Sequence, residues 1–197
     1  MSSQTRTRNA KPKIERAAIE LFITEGIDAA TTRQIAERAG VSEGALYRHY
    51  KGKEELAEAL FMDVHDRMSR LLIGAALVGN DLKTRVSAIV DAYCEFADED
   101  WDYCCYHLLF MNRFLKQDIK REDDPVSLTE AMITDLMDNG HIPPGDAALL
   151  AAMSLGVITQ TGQNKAYNRF RGPLSQYKDG IATAIMAILT TRSGDIT

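Results

Sequence analysis

The chain has 197 residues, 45% of them apolar and 26% charged, with a net charge of -5. That is long enough for one large globular domain or a small head on a larger body, and three cysteines, an odd number, speak against a disulfide framework. No apolar run approaches the ~18 residues of a membrane span, and Met1–Lys13 lacks the apolar stretch of a secretory signal, so a cytoplasmic protein without membrane contact is expected.

The charge is unevenly spread. Residues 1–53 hold ten Lys/Arg against six Asp/Glu, while residues 54–197 hold thirteen against twenty-two. A basic head on an acidic body is the footprint of a protein that presents one end to a polyanion.

Helical periodicity runs through the whole sequence, with no long alternating pattern, repeat or low-complexity tract. The all-α chain is expected to divide into a disordered basic arm at 1–10, a helix-turn-helix head at 11–53 and a helical body at 54–197. Arg6, Arg8, Lys11 and Lys13 give the arm its charge. A first helix is expected from about Lys13 to Glu25, with Ile14, Ala18, Leu21 and Phe22 on one face. Gly26 ends it, and Ile27 packs back on Phe22 in a Schellman ending.

Thr31 caps a second helix to about Ala39, where Gly40 makes a tight left-handed turn. Ser42 then caps a third, reaching about Tyr50. Ile35, Ala36 and Ala39 form one face, and Val41 and Leu46 pack against it, the small alanines allowing a steep crossing. The third helix is too short and polar for a core element. Gly44 in its first turn leaves little bulk, so its backbone can approach a groove closely. A fourth helix begins near Lys53, where Glu54 and Glu55 suit the positive end of the dipole and a lysine does not, unless it points at a phosphate. The helix continues to Leu77, and further helices are expected at about 82–98, 101–118, 125–139, 144–169 and 173–191.

The segments Thr31-Thr32-Arg33-Gln34-Ile35-Ala36, Ala39-Gly40-Val41-Ser42-Glu43-Gly44, Leu46-Tyr47-Arg48-His49-Tyr50 and Lys53-Glu54-Glu55-Leu56 together resemble the tetracycline-repressor (TetR) family. The resemblance covers Ile14 to about Leu60. It implies a homodimer with an N-terminal three-helix DNA-binding domain and a C-terminal domain that binds a small effector and dimerises through its last two long helices. Carried over by position, Thr32, Tyr47, His49 and Lys53 match contacts to the DNA backbone, and Arg33 matches a groove-edge contact. Glu43, Gly44 and Ala45 match base-facing positions. Ala45 stands where many members carry threonine, which leaves an apolar contact with a thymine methyl, and Arg33 or Arg48 can donate to guanine. With Ser42 as the cap, these residues make up the expected site on a palindromic operator of double-stranded DNA.

The body carries no phosphate-binding loop, nucleophile elbow or metal motif, so no enzyme, cofactor or metal is expected. Cys104, Cys105 and His107 stand close in sequence and read as core or pocket wall rather than redox or metal chemistry, and the acidic run Asp98-Glu99-Asp100 reads as solvated surface. Tyr93, Phe96, Trp101, Tyr103, Tyr106, His107, Phe110 and Met111, with Met132 and Met153, are the candidate wall of an effector pocket for a largely apolar molecule. Ala148, Ala152 and Leu155, with Ile181, Ile185 and Ile188, are the candidate dimer surface. The expected function is a repressor released from DNA by its effector. The rival is a DNA-binding protein whose body binds a protein partner instead.

Overall fold

The computed structural model describes residues 10–79, 81–115 and 125–191, which form nine α-helices and one short 3-10 helix without any strand. The all-α reading therefore holds. No helix among these residues is long and apolar enough to cross a membrane. The chain divides into two compact units, one reaching to His65 and taking in Asp102–Phe114, the other made of Asp66–Trp101 and the chain from Leu115 onward.

The first unit opens with α1, Ala10–Glu25. It begins earlier than the sequence suggested because Ala10 is buried, Lys11 pairs with Glu15 one turn on, and Pro12 falls in the first turn, where its missing N–H costs nothing. Lys11 and Lys13 are thus helical rather than part of an arm, and Arg6 and Arg8 lie outside the described residues. Gly26 takes the left-handed conformation at φ +85°, and its N–H bonds the Phe22 carbonyl at 3.1 Å. This is the single-bond αL form of helix ending, and Ile27 is buried beyond it.

Next come α2, Thr32–Ala39, and α3, Glu43–Tyr47, then α4, Lys53–Ala76, of which the part up to His65 belongs to this unit. The core gathers Ile14, Leu21, Phe22, Ile35, Leu46, Leu56 and Phe61, all at most 2% exposed. A fifth segment completes it: residues Asp102–Phe114 of α6, which spans Trp101–Phe114. Tyr106 of this helix is fully buried, stacks on Phe22 at 5.9 Å and donates its hydroxyl to the Ala57 carbonyl at 2.8 Å. Phe61 stacks on His107 at 4.8 Å. Arg16 and Asp102 form an ion pair between α1 and α6. The unit is therefore larger than the 11–53 head marked out from the motif.

The second unit contains the rest of α4, then α5, Leu82–Glu99, α7, Pro125–Asp138, α8, Ala147–Ala166, the 3-10 turn Leu174–Tyr177 and α9, Lys178–Thr190. The helix expected at 101–118 is seen to Phe114, and residues 116–124 lie outside the described residues. Helix α9 packs on α5 and α8, and α7 packs on α8. Asp98 is not free surface: its carboxylate accepts the backbone N–H groups of Leu174 and Ser175, which ties the end of α5 to the 3-10 turn.

Candidate nucleic-acid interface

The α2–α3 pair is built from caps that need only neighbouring residues. Thr31 and Gln34 form a reciprocal capping box, the Thr31 side chain accepting from the Gln34 N–H at 3.2 Å and the Gln34 side chain from the Thr31 N–H at 2.9 Å. Gly40 ends α2 at φ +66°, a conformation that a Cβ would strain. Its N–H bonds the Glu37 carbonyl at 3.1 Å and the Val41 N–H bonds the Ala36 carbonyl at 3.0 Å, the two bonds of a Schellman ending. Ser42 then caps α3 through the Ala45 N–H at 3.2 Å. The turn is thus fixed from both sides, and α3 is shorter than the Ser42–Tyr50 span expected from the sequence.

What α3 presents outward is small or polar. Glu43, Gly44 and Arg48 are exposed, and Tyr47 is 52% exposed. A Cβ built on Gly44 would meet nothing within 4 Å, so no contact inside the protein demands a glycine there. Thr32, at the start of α2, donates its hydroxyl to Glu43 at 2.6 Å and lies 3.4 Å from the Tyr47 hydroxyl, which gathers three of the expected DNA contacts into one polar cluster. Arg33 is 80% exposed and pairs with Glu37 at 2.9 Å. Burial does not alter its charge, and its pKa is raised by the hydrogen bond and charge of Glu37.

Three of the expected contacts are placed differently. Ala45 is 5% exposed and sits with Leu46 against the core, so it has no methyl to offer a thymine. On a five-residue helix the inward face takes Ala45 and Leu46, which leaves Gly44 and Tyr47–Arg48 outside. His49 has its Nε2 buried without a hydrogen-bond partner, so that nitrogen is turned from solvent. The Lys53 ammonium donates to the carbonyls of Asp28 at 2.7 Å and Ala30 at 2.9 Å. Those bonds, rather than a phosphate, answer the unfavourable position of a lysine at a helix N-terminus, and one of its three N–H donors is left over. Arg113 of α6 grips the same loop from the other direction, bonding Asp28 at 2.9 Å and Glu54 at 3.0 Å. No sequence spacing pointed to Arg113, which lies 85 residues from Asp28.

Residues 14–60 match the tetR family of bacterial regulatory proteins. A solved TetR-family transcription regulator from Marinobacter aquaeolei VT8 shares the fold with a TM-score of 0.77 at 19% identity, over 96% of this chain and 100% of that one. The N-terminal segment, residues 14–60, belongs to the TetR family. Among the chain's relatives, the HTH-type transcriptional activator FasR of Mycolicibacterium smegmatis is 33% identical over 118 residues, 57% of this chain and 53% of that protein. The chain therefore spans about half the length of that relative. The nucleoid occlusion factor SlmA of Vibrio cholerae is 26% identical over 157 residues, 76% of this chain and 80% of that protein.

The TetR resemblance raised an effector pocket, and here the aromatic stretch reads differently in space. Tyr103, Tyr106, His107, Phe110 and Met111 belong to the first unit, where Tyr106 and His107 are core. Burial and the neighbouring His65 push the His107 imidazole down to about 3, so it is held neutral, 3.0 Å from the His65 ring nitrogen. In the second unit Tyr93 is buried, Phe96 is faced by Arg67, and Trp101 carries the Lys165 ammonium 4.2 Å above its ring. Met153 is 45% exposed. A cleft among the described residues of this unit lies elsewhere. It is a small cavity of about 40 Å³, partly open to solvent, between α5 (Val86, Ile89), α7 (Thr129, Met132, Ile133), α8 (Ser154, Leu155, Ile158) and α9 (Ile185, Leu189). Of the ten expected pocket residues, only Met132 lines it.

The expected dimer residues also divide. Ile181 and Ile185 are 4% and 5% exposed within their own unit, so they face its core rather than a partner. Leu155 lines the cleft and Ile188 is half-buried. Ala148 and Ala152 are exposed, as are Leu149 and Met153 beside them on α8. Cys94, Cys104 and Cys105 are buried thiols, and burial, with Asp98 and Asp91 nearby, raises Cys94 to about 11. Among the described residues no three His, Cys, Asp or Glu side chains gather as a metal site.

Proposed function

We propose that this protein is a sequence-specific transcriptional repressor of the TetR family that binds a palindromic operator as a homodimer and is released by a small, largely apolar effector. The observation that carries DNA binding is the doubly capped turn holding α3 with its leading end exposed and nearly free of side-chain bulk. An exposed glycine costs a helix stability, and close approach of backbone to base edges is a use that offsets the cost. Thr32, Tyr47 and Arg48, with the spare donor of Lys53, bond phosphates, while Arg33 and Glu43 must exchange their internal partners for groups on the DNA.

One short reading helix is a weak anchor, and doubling it across a two-fold axis supplies affinity and a fixed half-site spacing. The exposed apolar face of α8, Ala148, Leu149, Ala152 and Met153, supports the partner surface for that dimer, with Leu155 and Ile188 at its margin. The effector occupies the second unit and shifts the population of dimers away from the operator-compatible spacing. A preference of ~10²-fold for the wrong spacing is about 2.7 kcal/mol, enough to empty an operator.

The test begins with selecting bound sequences from a random DNA pool and measuring affinity for the winner by fluorescence anisotropy. The expected result is a palindromic site bound by two chains, with affinity falling steeply as salt rises. A protein that binds all sequences alike, or binds as one chain, refutes the proposal. The sign of regulation is read by placing the operator within a promoter: repression in the absence of effector is expected, and activation is the outcome that overturns the repressor assignment.

A further inference from the structure

The cleft of the second unit holds one polar group without a partner. Ser154 is 6% exposed and lines the cleft, and its Oγ makes no hydrogen bond. That is unusual for a hydroxyl on a helix, because such groups fall back on the carbonyl one turn earlier. Others here do so: Thr159 bonds the Leu155 carbonyl at 2.9 Å and Thr161 the Val157 carbonyl at 2.6 Å. Thr129, the other polar residue of the cleft, bonds the Pro125 carbonyl at 2.6 Å and is occupied. A buried hydroxyl left unpaired destabilises the fold, and alanine at this position would avoid that cost. A ligand that supplies the missing partner removes it.

The rest of the wall sets the ligand's chemistry. Apart from those two hydroxyl residues the lining is aliphatic or thioether, and it carries no charge. A carboxylate or ammonium placed there would lose its hydration without a counter-charge. We infer that the cleft between α5, α7, α8 and α9 is an effector site for an uncharged, mainly apolar molecule bearing a single hydroxyl or carbonyl, which Ser154 hydrogen-bonds. The inference deepens the effector reading above and rests on it for its regulatory meaning. Met132, unbranched and adaptable, lets the cleft adjust to the apolar part.

The test uses the full chain with methyl-labelled methionine, the Met132 signal being assigned by Met132→Leu. 1-Hexanol is the probe and hexanoate at neutral pH its charged counterpart. A saturable shift of the Met132 signal with 1-hexanol is expected, with hexanoate at least ~10-fold weaker. Ser154→Ala should weaken 1-hexanol about 5-fold or more while raising the thermal midpoint, which separates lost binding from lost folding. Ile158→Trp, which fills the cleft, should abolish the shift. No saturable shift, equal binding of hexanoate, or unchanged affinity in Ser154→Ala overturns the assignment. Operator anisotropy keeps the two readings apart. If 1-hexanol saturates the cleft as described but leaves operator affinity unchanged, release by a cleft effector fails and the site stands. If a compound releases the operator equally from wild type and Ile158→Trp, the site fails and effector release stands.

Discussion

Replacing Gly44 by alanine should move folding and DNA binding in opposite directions. Gly44 is exposed in the first turn of α3, and an added Cβ would meet nothing within 4 Å. The substitution therefore relieves the conformational cost of glycine without creating a clash. Against alanine that cost is roughly 0.8–1 kcal/mol inside a helix, and about half of it, ~0.5 kcal/mol, is expected so close to the helix start. For a chain of this size the thermal midpoint should rise by about 1–2 °C. If α3 enters a groove leading-end first, the same methyl meets base edges, and operator affinity should fall by about 10-fold, or ~1.4 kcal/mol. Gly44→Leu should keep the fold and lose operator preference, leaving the salt-dependent, sequence-independent term. Thermal unfolding and anisotropy against operator and scrambled DNA read both sides. Wild-type operator affinity in both variants, with stability raised, would refute the orientation of α3.

Lys53→Met keeps the aliphatic stem and removes the bonds to the Asp28 and Ala30 carbonyls. It should cost about 1 kcal/mol of stability in urea and flatten the salt dependence of DNA binding by about one unit, whereas an unchanged slope means the spare donor meets no phosphate. Tyr106→Phe removes the bond to the Ala57 carbonyl and should cost about 1 kcal/mol in urea unfolding, with operator affinity unchanged where the fold persists. His107 is held down to about 3 by burial and by His65, against an ordinary 6.5. Between those values the unfolded chain takes up a proton that the folded chain refuses, so stability is full above about pH 6.5 and falls with pH below it, at most ~1.4 kcal/mol per unit. Urea midpoints at about pH 7.5, 6 and 5 should show a shallower fall in His107→Gln than in wild type, and parallel falls would remove His107 as the cause.

The head was legible to the extent that its bonds are local. Thr31, Gly40 and Ser42 each act on groups within a few residues, so residue type and spacing were enough to place the caps and the turn. Less was legible where a side chain reaches across the chain. Lys53 bonds carbonyls 23 and 25 residues earlier, and its position on the helix gave no sign of them. Ala45 was assigned to the DNA by its place in the motif, yet it is buried beside Leu46 on the inward face of α3.

The body shows why a periodic stripe identifies a face without identifying its partner. Tyr106 and Phe110 do share one side of α6 and touch at 5.1 Å, as their four-residue spacing required. Tyr106 stacks on Phe22 of α1 and bonds the Ala57 carbonyl of α4, so it braces α1 and α4 instead of walling a cleft. Helix α8 makes the same point from the other direction. It is apolar on most sides, and a single stripe cannot be drawn on it. Residues 151, 154, 158 and 162 turn inward, and 148, 149, 152 and 153 outward. At about 100° per residue, positions two apart such as Ala152 and Ser154 point to nearly opposed sides. One helix can thus wall a cleft through Ser154 and Ile158 while offering Ala148 and Ala152 to a second chain. On the function proposed above, a ligand that displaces its inner face would act directly on the element that sets the spacing of the dimer.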